Sequence, residues 1–202
     1  MLFVQSFYLF ALALLFAAIE VEIEGRHGWA EKLPTWYRRE GVVARMYGVV
    51  MGGKPLTGYH AFMFFLPLII FHLPFVWGME WSSKQEWRTI AIYFAWCPLW
   101  DFLWFILNPA YKLAGFRKDS IWWHSKSYWM FGLFPIDYLT GWTISVVIAA
   151  FGNDLDSHIQ MLGLFLALTC LTYGWSPLYH RWYKWMRRKD DRTKVNIFHS
   201  DQ

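Results

Sequence analysis

The side chains best suited to chemistry in this 202-residue sequence are carboxylates and imidazoles that lie within or beside long apolar segments. An ionisable group in such a segment is costly, so it is either paired with another group or used in function. Carboxylates and imidazoles act as general acids and bases, and together they are ligands for Zn, Fe and Mn. The set consists of Glu20, Glu24, His27, His60, Asp101, His124, Asp137 and His180.

A metal site is the first chemistry that this set predicts. Glu20 and Glu24 are four residues apart, so on a helix their side chains share one face. Glu24-x-x-His27 matches half of a carboxylate di-iron pattern, but the sequence has no second Glu-x-x-His, and Gly25 can end the helix before His27. We expect Zn, Fe or Mn as the cofactor. The expected metal ligands are Glu20, Glu24, His60, Asp101 and His124.

Acid–base catalysis is the second chemistry, and its expected catalytic residues are Asp101, His124 and Asp137. Asp101 lies about two turns inside the third apolar segment, and Asp137 lies well inside the fourth, near mid-membrane. A charge at that depth needs a partner, so a structural aspartate paired with a Trp N–H or an Arg is the alternative. The sequence has no HExxH, GxSxG or Walker motif.

Simpler explanations stand beside these predictions. Glu20 and Glu24 can form an acidic rim that pairs with nearby arginines, His60 can merely bond a carbonyl or a headgroup, and His124 can be an interface residue like its Trp neighbours. His72 is expected to be a satisfied core histidine or a partner for another helix. His158 and His199 are expected to be solvent-exposed, and Cys97 and Cys170 to be packing residues or free thiols.

Five apolar segments position these residues, at 2–23, 58–79, 88–108, 129–151 and 158–180. The composition is 56% hydrophobic and 22% aromatic, with 15 Trp, and runs of about 20 apolar residues are long enough to cross a bilayer. The sequence therefore predicts an all-α integral membrane protein, a five-helix transmembrane bundle in a single domain over residues 1–202. Interfacial amphipathic helices are expected on the cytoplasmic side, after Pro34, within 109–128 and along 181–195. Residues 2–19 are expected to be a retained span rather than a cleaved leader.

The basic residues predict the orientation of this bundle. All nineteen Lys and Arg residues except Lys84 and Arg88 fall in alternate gaps between the apolar segments or in the tail. Because positive residues stay cytoplasmic, the N-terminus is expected outside and the C-terminus in the cytoplasm, in the inner membrane if the cell is bacterial. The candidate site then opens on the cytoplasmic side. Membrane lipids and anionic headgroups are the expected partners, along with a possible membrane-protein partner, and nucleic acid is not.

These features favour a metal-dependent or acid–base membrane enzyme that acts on a lipid or another amphiphile. The alternative is a non-catalytic accessory subunit of a larger membrane complex, associated with a quinone or a pigment. Trp96, Trp100 and Trp104 recur on one helix face and can pack on such a partner, although core packing explains them more simply. A transporter is disfavoured, because five spans contain no inverted repeat.

Overall fold

The computed structural model describes residues 1–190 as a bundle of helices joined by turns and by two longer connections, 25–41 and 108–135. Within that range the helices are α1 (Leu2–Glu24), α2 (Val42–Val50), α3 (Gly58–Val76), α4 (Ser83–Leu107), α5 (Ile136–Phe151) and α6 (Leu155–Arg188). Two antiparallel strand pairs join them, β1 (Tyr37–Arg38) with β2 (Leu56–Thr57), and β3 (Trp129–Met130) with β4 (Phe134–Pro135). Three single 3₁₀ turns lie between Leu113 and His124.

Four helices of the described chain, α1, α3, α4 and α6, are long and apolar enough to cross a membrane. The fifth helix, α5, is apolar but has only 16 residues. At 1.5 Å per residue it is about 24 Å long, less than the roughly 30 Å of a bilayer's hydrocarbon core. The fold is thus that of a helical membrane protein with four clear candidate spans, which agrees with the predicted all-α membrane class.

The fourth predicted segment, 129–151, is not one helix, and that prediction is wrong in its first part. Residues 129–135 form the β3–β4 hairpin, which turns through Phe131 and Gly132, both with positive φ. Pro135 then caps α5, so Asp137 lies in the first helical turn and not near mid-membrane. An apolar run does not reveal whether its residues pack as a hairpin or as a helix.

The helices alternate in direction, so each end of the bundle collects residues from distant parts of the sequence. At one end, here called the far end, Arg88 at the start of α4 contacts Gln5 at 2.7 Å and Asp154 at 3.1 Å. At the other, here called the site end, Asn108 Nδ2 donates to the Gly25 carbonyl at 2.6 Å. His180 of α6 also lies at the site end, with Nε2 2.9 Å from the Ile106 carbonyl oxygen.

Helix α4 occupies the centre and packs against α1, α3, α5 and α6. Its Trp96, Trp100 and Trp104 are each at most 2% exposed. Phe16 of α1 meets Trp96 and Trp100 edge-on, with ring centroids 5.1 and 5.7 Å apart, and the Trp96 indole N–H donates to the Leu9 carbonyl. Core packing therefore explains this stripe, and none of the three rings lies on the outer surface of the bundle.

The two remaining connections differ from their predicted form. A helix does follow Pro34, but α2 begins only at Val42 and has nine residues. The 109–128 segment contains 3₁₀ turns instead of a surface helix, with Trp122 39% exposed and Trp123 4% exposed. Helix α6 continues to Arg188, while the end of the predicted 181–195 helix and His199 lie outside the described residues.

The histidines at the far end are accounted for by protein contacts. His158 is buried, with Nε2 3.1 Å from Ser145 Oγ, so its predicted exposure is wrong. The reason is that α6 begins at Leu155, three residues before the predicted start, and places His158 inside the bundle. His72 has Nδ1 2.7 Å from the Leu68 carbonyl and Nε2 3.1 Å from Glu86 of α4, which confirms its role as a partner between helices.

Candidate functional site

A cavity of about 490 Å³ opens at the site end, between α1, α3, α4, α5 and the loops that precede α3 and α5. Its size lies within the range of small-molecule binding sites. Aromatic and aliphatic side chains supply most of its wall. The ionisable residues that line it are Glu20, Lys54, His60, Asp101, His124 and Asp137.

At one wall of the cavity lie Glu20 and His60, which line it, and beside them Glu24; all three are at most 6% exposed. A potential ligand atom from each of the three lies within 4.8 Å of the other two. His60 Nε2 is 3.9 Å from Glu20 Oε1 and 3.8 Å from Glu24 Oε1. These atoms surround one point, which is the arrangement that a single metal ion requires.

Local structure explains why these three side chains meet. Glu20 and Glu24 are one helical turn apart on the inner face of α1. Thr57 caps α3, with its hydroxyl accepting the His60 backbone N–H, and the same oxygen lies 2.9 Å from His60 Nδ1. Because Thr57 occupies Nδ1, the other ring nitrogen faces the two glutamates, as in the outer-shell support of metal-bound histidines.

The loop that contains Trp29 and Ala30 packs against the Glu20, Glu24 and His60 cluster and holds His60 and Glu24 in position. The Trp29 ring stacks on His60 with centroids 4.0 Å apart and an interplanar angle of 14°, and its indole N–H donates to the Pro55 carbonyl. Glu24 Oε1 accepts the Ala30 N–H at 2.5 Å. This loop is therefore tied to both α1 and the segment before α3.

Two histidines of the predicted set do not join the cluster. Helix α1 ends at Glu24, and Gly25 with φ 59° turns the chain away, so His27 lies 39% exposed beside Glu31 at 3.7 Å. The Glu24-x-x-His27 pattern therefore forms no half-site. His180 is bonded to the Ile106 carbonyl and serves the packing of α6 on α4.

Another part of the cavity wall holds a chain of ionisable side chains, Asp101, His124 and Asp137. His124 Nε2 lies 3.6 Å from Asp101 Oδ2, and His124 Nδ1 lies 3.4 Å from Asp137 Oδ2. The Tyr138 hydroxyl donates to Asp101, and the Ser127 hydroxyl donates to Asp137 at 2.8 Å. The predicted catalytic residues are thus neighbours, while Asp101 and His124 stand with Asp137 and apart from the three-residue cluster.

Lys54 is the site residue that the sequence reasoning counted only as a topological charge. Its side chain is 3% exposed, Nζ donates to Asp137 Oδ2 at 2.8 Å, and the ammonium lies 5.3 Å from the Trp29 ring centroid. Gly52 permits this approach, since a Cβ there would lie 2.5 Å from Ser127 Oγ and 2.9 Å from Asp137 Oδ2. The Gly52-Gly53-Lys54-Pro55 turn was the available sequence signal.

Several polar atoms at this cavity have no hydrogen-bond partner within the described chain. They are both ring nitrogens of His124, the Trp100 indole N–H and the Tyr47 hydroxyl, all on residues that line the cavity. Buried polar groups are normally satisfied by protein or by a bound molecule. This part of the bundle is therefore built for more than packing.

The hydroxyl of Tyr47 belongs to the short helix α2, outside the candidate spans. Burial, and next the negative charge of Asp101, raise the pKa of Tyr47 above its ordinary value. Desolvation disfavours the charged phenolate, so Tyr47 presents a neutral hydroxyl to the cavity at physiological pH.

The fold and the site together define a helical membrane protein with a buried Glu/His cluster. The chain matches no protein-family model, no curated protein sequence and no solved structure. The geometry of the cavity is therefore the basis for any function assigned to it.

Proposed function

We propose that this protein is a membrane-embedded, metal-dependent enzyme that acts on an amphiphilic substrate. The observation that carries the proposal is the convergence of His60 Nε2 with the carboxylates of Glu20 and Glu24 at one cavity wall. Two carboxylates and one imidazole suit Zn, Fe or Mn, and three protein ligands leave positions open for water or substrate. The location of the cavity among apolar helices favours an amphiphile over a fully soluble substrate.

The metal would be held by Glu20, Glu24 and His60, and it would supply an activated water or a polarised substrate oxygen. Asp101 and His124 were also predicted as ligands, and their place in a metal shell stays a prediction. In this proposal they act beside the metal. His124 lies between the carboxylates of Asp101 and Asp137, so it can accept a proton from the substrate and return it.

Three side chains hold the two carboxylates beside His124, those of Asp101 and Asp137, in place. Tyr138 fixes the Asp101 carboxylate through its hydroxyl. Lys54 and Ser127 both donate to the same oxygen of Asp137. The carboxylates are thereby held in fixed orientations beside the His124 ring.

The orientation belongs to the same proposal. The basic residues at the site end favour a cytoplasmic opening with the N-terminus outside and the C-terminus inside. The basic loops would hold the site against anionic headgroups at the membrane surface.

Metal analysis of the purified full-length chain tests the proposal. We expect about one Zn, Fe or Mn ion per chain, because one three-residue cluster is present in the described part. His60→Ala and Glu20→Gln should each lose most of the metal, since each removes a ligand. The matched control is His27→Ala, which removes a histidine from the same end without touching the cluster.

A wild-type protein with no more metal than His60→Ala would overturn the proposal. If such a metal-free protein also co-purified in a stable complex, the alternative of a non-catalytic accessory subunit would take its place.

A further inference from the structure

The charges that line the cavity identify the kind of head that an amphiphile must carry to enter it. Glu20, Asp101 and Asp137 contribute carboxylates, and Lys54 is the one Lys or Arg among the lining residues of this cavity in the described chain. Lys54 is already engaged, because its ammonium bonds Asp137 at 2.8 Å. The described lining of the cavity therefore has no free Lys or Arg side chain that could bind the anionic headgroup of an amphiphile.

A bound divalent ion does not change that balance. Glu20 and Glu24 together offset its two charges, and Lys54 offsets Asp137. Asp101 then remains, with the neutral Tyr138 hydroxyl as its hydrogen-bond donor and His124 Nε2 at 3.6 Å. The Asp101 side chain is 35% accessible, and since it lines the cavity, that surface faces the cavity.

The walls next to Asp101 also favour a cation. Aromatic rings attract positive charge through their electron-rich faces. Seven Phe, Trp and Tyr residues line the cavity, namely Trp29, Tyr47, Phe64, Tyr93, Phe94, Trp100 and Tyr138. Trp100, 2% exposed, also lines the cavity, and its indole N–H has no hydrogen-bond partner in the described chain, which is an independent sign that a ligand belongs there.

An apolar arm leads from this polar end towards the bundle surface. It follows α4 from Asp101 past Cys97 to Tyr93, about 12 Å at 1.5 Å per residue. Phe64 of α3 and Ile144 of α5 form its sides. Ile144 is 38% exposed, so the arm reaches the surface that faces lipid.

We propose that the cavity binds a cationic amphiphile, with an ammonium head beside Asp101 and an apolar tail in the arm between α3 and α5. The proposal rests on the proposed function for the view that the cavity is a substrate site. The anionic headgroups that are expected as partners lie, in this proposal, at the basic loops outside the cavity and not within it. Its test measures labelling and not metal, so the two proposals can fail separately.

The test uses two photoreactive probes with the same dodecyl tail and a diazirine in that tail, one with a trimethylammonium head and one with a sulfate head. The full-length protein is reconstituted in nanodiscs of phosphatidylcholine, and labelled peptides are mapped by mass spectrometry at equal probe content. We expect the ammonium probe to label the α3–α5 arm at least about tenfold more than the sulfate probe does, a difference of about 1.4 kcal/mol.

Two pairs of variants locate the head and the tail. Ile144→Trp should fill the arm and abolish labelling there, whereas Val147→Trp, on the same helix but outside the cavity lining, should not. Asp101→Asn should reduce labelling by the ammonium probe several-fold, while Asp101→Glu, which keeps the charge, should retain most of it. Metal content is measured in the Ile144→Trp protein and should equal that of the wild type.

Equal labelling by the sulfate probe, or no difference between Ile144→Trp and Val147→Trp, would refute this inference. Selective ammonium labelling of a wild-type protein that holds no metal would retain the inference and reject the metal enzyme. Metal that is lost in His60→Ala, together with unselective labelling, would do the reverse.

Discussion

The two ends of the bundle contain similar polar residue types but differ in whether those residues have hydrogen-bond partners. At the far end, His158 meets Ser145, His72 meets Glu86, and Arg88 lies between Gln5 and Asp154. At the site end, the nitrogens of His124 and the indole N–H of Trp100 have no hydrogen-bond partner in the described chain. Near the far end, Gln85 Oε1 is the comparable exception among the described residues.

The polar groups at the far end thus bond one helix to another, whereas those at the site end are free to bond a ligand. A satisfied buried group adds modestly to stability, whereas an unsatisfied one carries the full cost of its lost hydration. Such a cost is retained at functional sites and compensated by packing elsewhere. The far end therefore holds its polar groups in contacts between helices, and the site end is where the proposed function is placed.

The largest expected effect comes from removing the one lysine of the cavity. Lys54→Met should lower the free energy of unfolding by about 3 kcal/mol, because it leaves the Asp137 carboxylate without its cation in a buried place. Arg88→Met, the far-end counterpart, should cost about 1 kcal/mol or less, since its side chain is 40% exposed. Reversible unfolding in mixed micelles measures both, and equal losses would contradict the division between the two ends.

An intermediate effect is expected at the loop that supports the site. A Cβ on Gly28 would lie 2.0 Å from the Trp123 ring, so Gly28→Ala should displace Trp123 and its neighbour His124 and cost about 1–3 kcal/mol. Gly163→Ala in α6 is the matched control, because no atom lies within 4 Å of its Cβ position. That control should be stabilising by up to about 1 kcal/mol through helix propensity. Thermal unfolding midpoints that fall equally in both variants would show that the loop is not tightly packed.

The smallest effect is the sharpest test of the comparison, because it concerns two buried histidines. His158→Leu should cost about 1 kcal/mol by removing the contact with Ser145. His124→Leu should cost less than His158→Leu, since its contacts with Asp101 and Asp137, at 3.6 and 3.4 Å, are longer than the 3.1 Å contact of His158. The same unfolding measurement decides between them, and a larger loss for His124→Leu would mean that its two carboxylate neighbours hold it as a structural ion pair.

The one-sided placement of the carboxylates and histidines could be predicted from the sequence, and the reason is geometric. Glu20 and Glu24 end one helix, His60 begins the next, and Asp101 lies towards the end of another. In helices that alternate in direction, such positions meet at one end of the bundle. The positions and lengths of the apolar segments are therefore enough to predict that these distant residues lie at the same end of the bundle.

The partition of those residues into two walls could not be predicted, because it depends on loops. The turn at Gly52 and Gly53 carries Lys54 to Asp137, and the 3₁₀ turns carry His124 between two aspartates. Neither path follows from periodicity, since each is set by tertiary contacts. Asp137 itself was misplaced because the apolar residues of the β3–β4 hairpin resemble the start of a span.

The shortness of α5 has a consequence for the lipids around it. This helix is about 24 Å long, which is less than the thickness of an ordinary hydrocarbon core. Beside it the bilayer must either become thinner or contact the β3–β4 hairpin that precedes α5. The hairpin turn presents Phe131 and Leu133, which are 87% and 66% exposed, at that position. We therefore expect acyl chains to be most disordered along α5, next to Ile144, so that the membrane is locally weakened where an amphiphile would leave it.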